Sequence, residues 1–93
     1  MATKTQKIVI LGRPLYVIAI EIRKDWKKEV SGTKLSPHAE PYLNAMQSLD
    51  KITENFGWDS GREIVARFLG NATSWKGENA KRIKAELNAM LKR

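Results

Sequence analysis

The chain has no cysteine, which excludes disulfide staples and thiolate-bound metals and suits a reducing compartment. Histidine occurs once, as His38 in the stretch SPHAEP two residues before Glu40. A zinc ion or a histidine general base there would need partners from distant segments, so no metal site is expected. Long apolar runs are missing too. The N-terminal stretch MATKTQKIVILGRPLYVIAI is broken at Gly12, Arg13 and Pro14. Neither apolar half approaches the roughly 20 residues that span a bilayer, and no small-residue cleavage site follows. The reading is cytoplasmic, with no membrane partner. Finally, the sequence holds no phosphate-cradling glycine loop, no paired-histidine motif and no HExxH. Asp59, Ser60 and Glu63 fit the start of a helix better than a nucleophile and its base. No catalytic residue and no cofactor is expected, and the protein is not expected to be an enzyme.

What is present describes one packed domain. Ninety-three residues, 42% of them hydrophobic and 29% charged, fall in the globular range rather than the disordered one. A single core over residues 1–93 is expected. Net charge is +7, unevenly spread. Residues 1–35 carry eight Lys/Arg against three acids, residues 36–73 three against five, and residues 74–93 six against two. Both ends are basic and the middle is mildly acidic, a balance that attracts polyanions without implying sequence-specific contacts.

The fold expected from pattern is mainly α with a small β element (α+β): a short N-terminal β-hairpin packed on a bundle of about four helices. KIVIL (7–11), the GRP break and LYV (15–17) predict a hairpin over about 7–17. Tyr16, Ile18, Ile20 and Ile22 alternate as in a strand, while Ile18, Ala19, Ile22 and Trp26 line one helical face. The run RKDWKKE, made of good helix formers, favours a helix over 18–29. Ser36 as N-cap and Pro37 at the first turn open a helix over 37–56, with the alternative that the regular helix starts at Pro41, and Tyr42, Ala45, Met46, Leu49, Ile52 and Phe56 recur at three- and four-residue steps. Ser60 and Glu63 form a capping box for a helix over 60–70. The last helix, 74–91, is capped by Thr73 or Ser74 and carries an apolar stripe of Ala80, Ile83, Leu87, Met90 and Leu91. Ile22, Tyr42, Met46, Leu49, Ile64, Val65, Phe68, Ile83, Leu87 and Met90 are expected in one core.

Three features bear on function. Lys24, Lys27 and Lys28 near the end of the first helix, with Lys81, Arg82 and Lys84 on the last, are the candidate residues for binding nucleic acid or a partner. They form one patch if those two helices lie side by side, with the alternative that they only solvate an exposed face. Trp26, Trp58 and Trp75 each stand at or near a helix end, where they serve either as buried corner pins or as exposed aromatic anchors. Ala66 and Gly70 have the Ala-x-x-x-Gly spacing of a helix-turn-helix. The register then fails, because positions that should be apolar fall on Lys76 and Asn79, and a plain αα-hairpin explains the segment better.

EIRKDW (21–26), PYLNAMQSL (41–49), FGWDSG (56–61) and IVARFLGNATSWKGENAKRIKAEL (64–87) together resemble small accessory proteins encoded by tailed phages and their prophages. The resemblance spans about two-thirds of the chain and implies a context, the cytoplasm of an infected bacterium, without a residue-level activity. Two classes of function are then expected. One is a non-enzymatic protein that binds nucleic acid or a nucleoprotein through its basic ends. The alternative is a protein-directed inhibitor of a host defence machine, anti-CRISPR-like, docking on an acidic surface of a host protein.

Overall fold

The computed structural model describes residues 13–26 and 35–92. They form α1 (Leu15–Trp26), α2 (Glu40–Met46), a two-stranded antiparallel sheet of β1 (Asn55–Phe56) and β2 (Asp59–Ser60), α3 (Gly61–Gly70) and α4 (Glu78–Lys92). The mainly helical architecture expected from pattern is present, but the hairpin is not N-terminal. It lies in mid-chain, between α2 and α3. Residues 7–12 of the expected N-terminal hairpin lie outside the described residues, as do 27–29 of the expected first helix, and Leu15–Val17 are helical.

The reason for that correction lies at Pro14. Its fixed φ suits a helix start, and its carbonyl accepts from Val17 and Ile18 N–H at 3.1 and 3.2 Å. The N–H groups of Leu15 and Tyr16, which a free helix would leave unpaired, donate to the carbonyls of Asp50 (2.9 Å) and Leu49 (3.0 Å). A distant loop thus completes the first turn of α1, and the β-branched residues of LYVIAI follow it into a helix.

The same contacts explain why α2 is much shorter than the expected 37–56. Before it, Ser36 shapes a turn: its Oγ accepts from the His38 N–H and its carbonyl from Ala39 and Glu40 N–H. After Met46 the chain tightens into three-residue steps, Ser48 to Ala45 and Leu49 to Met46. The carbonyls of Leu49 and Asp50 then turn away to cap α1. Glu54 closes the loop that follows, its Oε1 accepting from Asp50 N–H (2.9 Å) and Lys51 N–H (3.3 Å). Leu49 still reaches the core, but Phe56 is a strand residue and exposed.

Asn55 pairs with Ser60 and Phe56 with Asp59, leaving Gly57 and Trp58 as a two-residue loop. Gly57 has φ +63 and Trp58 a negative φ, the pattern of a type II′ turn, whose twist matches the strands it joins. The capping box at α3 is present as expected, with Glu63 N–H donating to Ser60 Oγ (3.1 Å) and Ser60 N–H to Glu63 Oε1 (3.3 Å). Gly61 is held tightly beneath the hairpin. Its N–H donates to the Glu54 carbonyl at 2.7 Å, and a Cβ at this position would stand 2.5 Å from the Ile52 carbonyl oxygen.

Helices α1 and α4 lie antiparallel. Arg13 pairs with Glu86, Glu21 with Arg82, and Asp25 with Asn79, so the contacts run up one helix and down the other. Arg23 fastens α1 to α2 through Gln47, Asn44 and Glu40, and Arg62 of α3 donates to the Leu91 carbonyl of α4 at 3.0 Å. Every residue expected in the core is there except Tyr42, which is half-buried against it. Leu15, Ile18, Ala19, Leu43, Trp26 and Trp75 join it, and Ala39, Ala45, Ala72 and Ala80 complete it. No helix among the described residues is long and apolar enough to cross a membrane.

Candidate nucleic-acid interface

Antiparallel packing brings the C-terminal end of α1 and the N-terminal end of α4 to the same end of the molecule. The join is built on aromatic residues. Trp26 and Trp75 stack with centroids 5.6 Å apart and 16° between planes, and Phe68 meets both edge-on at 6.3 and 6.2 Å. Offset-stacked and edge-to-face pairs suit the ring quadrupoles and add to the gain from burial. The polar tip of Trp75 is answered by Asp25, the one buried charged residue among those described. One carboxylate oxygen of Asp25 accepts from Trp75 Nε1–H at 2.8 Å and the other from Asn79 Nδ2–H at 3.0 Å. Asp25 therefore fixes the loop 71–77 and the start of α4 against the end of α1.

That loop replaces the first turn expected of the last helix. Burying Trp75 requires an irregular backbone, and Gly77, at φ +115, supplies a conformation that L side chains rarely adopt. The regular helix then begins at Glu78 rather than near Thr73 or Ser74. The turn also leaves a hollow of about 300 Å³, lined by Trp75, Lys76, Gly77, Ala80, Lys81 and Lys84. Lys84 reaches across it to donate to the Trp75 carbonyl at 2.6 Å, with its ammonium 5.8 Å from the indole centroid. Burial, and then repulsion from Lys76, holds the Lys84 ammonium below its ordinary pKa.

The six expected binding residues divide. Lys24 and Lys81 are exposed and make no ion pair among the described residues. Lys84 borders the hollow. Arg82 is bound to Glu21 at 2.5 Å. Lys27 and Lys28 lie outside the described residues. Lys76, not singled out from sequence, stands beside Lys81 and Lys84 in the wall of the hollow. Its sequence signal is its place in the basic segment 74–93, next to the Gly77 turn.

Arginine and lysine play separate parts. Arg13 makes a bidentate contact to Glu86 (3.0 and 2.8 Å) and a third bond to Glu21 (2.8 Å). Those bonds, the one to Glu86 above all, raise its already high pKa despite partial burial. Burial alone would raise the Glu21 carboxyl, but the hydrogen bonds from Arg13 and Arg82 outweigh it and hold the group below its ordinary value. Arg67 lies 3.9 Å from both Asp59 and Glu63. Each described arginine thus has a partner within the fold, whereas no described lysine is ion-paired to a described carboxylate.

The tryptophans divide as well: Trp26 and Trp75 are fully buried pins, and Trp58 is fully exposed at the hairpin turn. Ala66 and Gly70 are both exposed, so the Ala-x-x-x-Gly spacing brings no second helix against α3. His38 is exposed, and no group of metal-ligating side chains is gathered among the described residues. No family model, curated protein or solved structure matches the chain.

Proposed function

We propose that the protein is a small non-enzymatic accessory protein of the phage type, acting in the cytoplasm, that binds nucleic acid or a nucleoprotein through the lysine-bearing end of its helical bundle. The observation that carries this is the gathering of Lys76, Lys81 and Lys84 around one hollow with no carboxylate among the described residues paired to any of them. Lys24 is exposed at the adjoining end of α1. Glu78 is the acidic residue nearest in sequence. Neighbouring ammonium groups that repel one another are relieved by an approaching phosphate, and lysine, a flexible point charge, suits contacts to a backbone rather than to base edges. Much of the chain's charge lies beyond this surface. Eleven of the seventeen Lys/Arg and nine of the ten acids are in the described residues, so those residues carry +2 of the net +7.

The test is fluorescence anisotropy with a labelled duplex and a labelled single strand over a salt series. Binding should be tolerant of sequence and fall with salt, by a slope of about −0.9 per duplex phosphate contacted. Changing Lys76 and Lys81 together to Gln, leaving Lys84 on the Trp75 carbonyl, should flatten that slope by roughly 1.8. An absence of binding at about 50 mM salt, or a slope indifferent to the double change, overturns the proposal. The protein-directed inhibitor of a host machine then takes its place.

A further inference from the structure

The hairpin turn is the second unusual surface. Trp58 is fully exposed and Phe56 is 46% exposed, on a turn fixed from below by the Gly61 contact to Glu54 and by the Ser60–Glu63 capping box. A large aromatic held in water on a rigid support loses little freedom when a partner covers it. Its surroundings are acidic. Residues 50–60 carry Asp50, Glu54 and Asp59 against Lys51 alone. At the start of α3, Asp59 and Glu63 share the one guanidinium of Arg67, and Arg62 is turned to the Leu91 carbonyl. A polyanion is therefore disfavoured at this tip, and a cationic receiver is favoured. The molecule holds such a receiver, the hollow walled by Lys76, Lys81 and Lys84, but at its opposite end. Helix α3 leads from the hairpin toward Trp75 over ten residues, about 15 Å, so a molecule cannot close on itself.

We infer that the hairpin tip of one molecule docks on the lysine-lined hollow of another, Trp58 entering the hollow while the carboxylates of Glu54 and Asp59 meet Lys76 and Lys81. The hollow is at the small end of the range for ligand sites, a size suited to one side chain rather than a groove. An indole laid among ammonium groups gains cation–π attraction, and Trp75 beneath Lys84 already shows the arrangement. The contact joins two different patches, so it is head-to-tail and leaves a free tip and a free hollow on every pair. It covers little area, so the association is weak. It does not rest on the nucleic-acid reading, although it would occupy the same lysines.

Sedimentation equilibrium of the full chain tests it. Average mass should rise above the monomer with concentration at about 20 mM salt and return to the monomer at about 500 mM, where charges are screened within a few ångströms. Trp58→Ala, which keeps its hollow, and Lys76→Glu/Lys81→Glu, which keeps its tip, should each be monomeric alone. Mixed, they should form a one-to-one dimer that grows no further, because the single intact tip meets the single intact hollow. A wild-type chain that stays monomeric at low salt overturns the inference and leaves the tip to a different partner. So does association that survives in either variant alone, or a mixture that fails to pair. All three changed positions are exposed, and a circular-dichroism melt shows whether each variant keeps its fold.

Discussion

Trp75 and Trp58 are the same residue seventeen positions apart, and they meet opposite fates. Both follow a turn-prone stretch, and both precede or adjoin a glycine. Trp75 is stacked on Trp26, edged by Phe68 and bonded through its indole N–H to Asp25. Trp58 touches water on every side. The difference is not in the residue or its immediate neighbours but in what arrives from elsewhere. At Trp75 the chain delivers a tryptophan and a carboxylate from α1, fifty residues earlier. At Trp58 a two-residue turn points away from the bundle. Here a tryptophan becomes a pin where a distant segment supplies both a ring and a polar partner.

The sharpest way to test that comparison is to remove each ring in turn. Trp75→Ala should cost roughly 3–5 kcal/mol, a large part of a small domain's stability, whereas Trp58→Ala should change the unfolding free energy by less than about 0.5 kcal/mol. Urea unfolding followed by circular dichroism reads both, and equal losses would break the distinction. Next in size, Asp25→Ala leaves the Trp75 and Asn79 donors without their acceptor and should cost about 1–3 kcal/mol, again with no counterpart at the hairpin. A smaller loss than that at Asp25 belongs to the seam between α1 and α4. Glu21 is held below its ordinary pKa by Arg13 and Arg82, so its contribution is present above the unfolded value and lost as pH falls through the folded one. Glu21→Gln should lower stability at neutral pH by about 1 kcal/mol or less, since the group is partly exposed. It should also lessen the fall in melting temperature below about pH 4.5. The last expected effect is spectroscopic. Acrylamide should quench the emission of Trp58 and spare Trp26 and Trp75, and the quenchable fraction should vanish in Trp58→Ala.

How much of this was legible in the sequence depends on how local each cause is. The capping box of Ser60 and Glu63 and the apolar stripe Ala80–Ile83–Leu87–Met90 are set by residues within a few positions of one another, and both are found where the pattern places them. The start of α1 was not legible. Leu15–Val17 have strand-like side chains and become helical because the carbonyls of residues 50 and 49 satisfy the N–H groups of Leu15 and Tyr16, and the Pro14 carbonyl that of Val17. The end of α2 was hidden for the related reason that Leu49 and Ile52 keep the helical rhythm even after the backbone has left the helix. Lysine positions were readable, but not their employment. Only the structure separates Arg82, bound to Glu21, from Lys81, exposed beside the hollow.

The hydrogen bond from the Trp75 indole to Asp25 joins residues fifty positions apart, in a region sealed by Trp26 and Phe68. Such a proton can exchange with solvent deuterium only when the bundle opens, so its exchange rate reports the free energy of opening at that corner directly. The Trp58 indole proton, wholly in water, exchanges at the rate of a free side chain and gives the reference within the same molecule. Two resolved resonances in a single spectrum would thus give a thermodynamic gauge of the fold, free of labels and mutations, that can be followed as salt, pH or a bound polyanion is added.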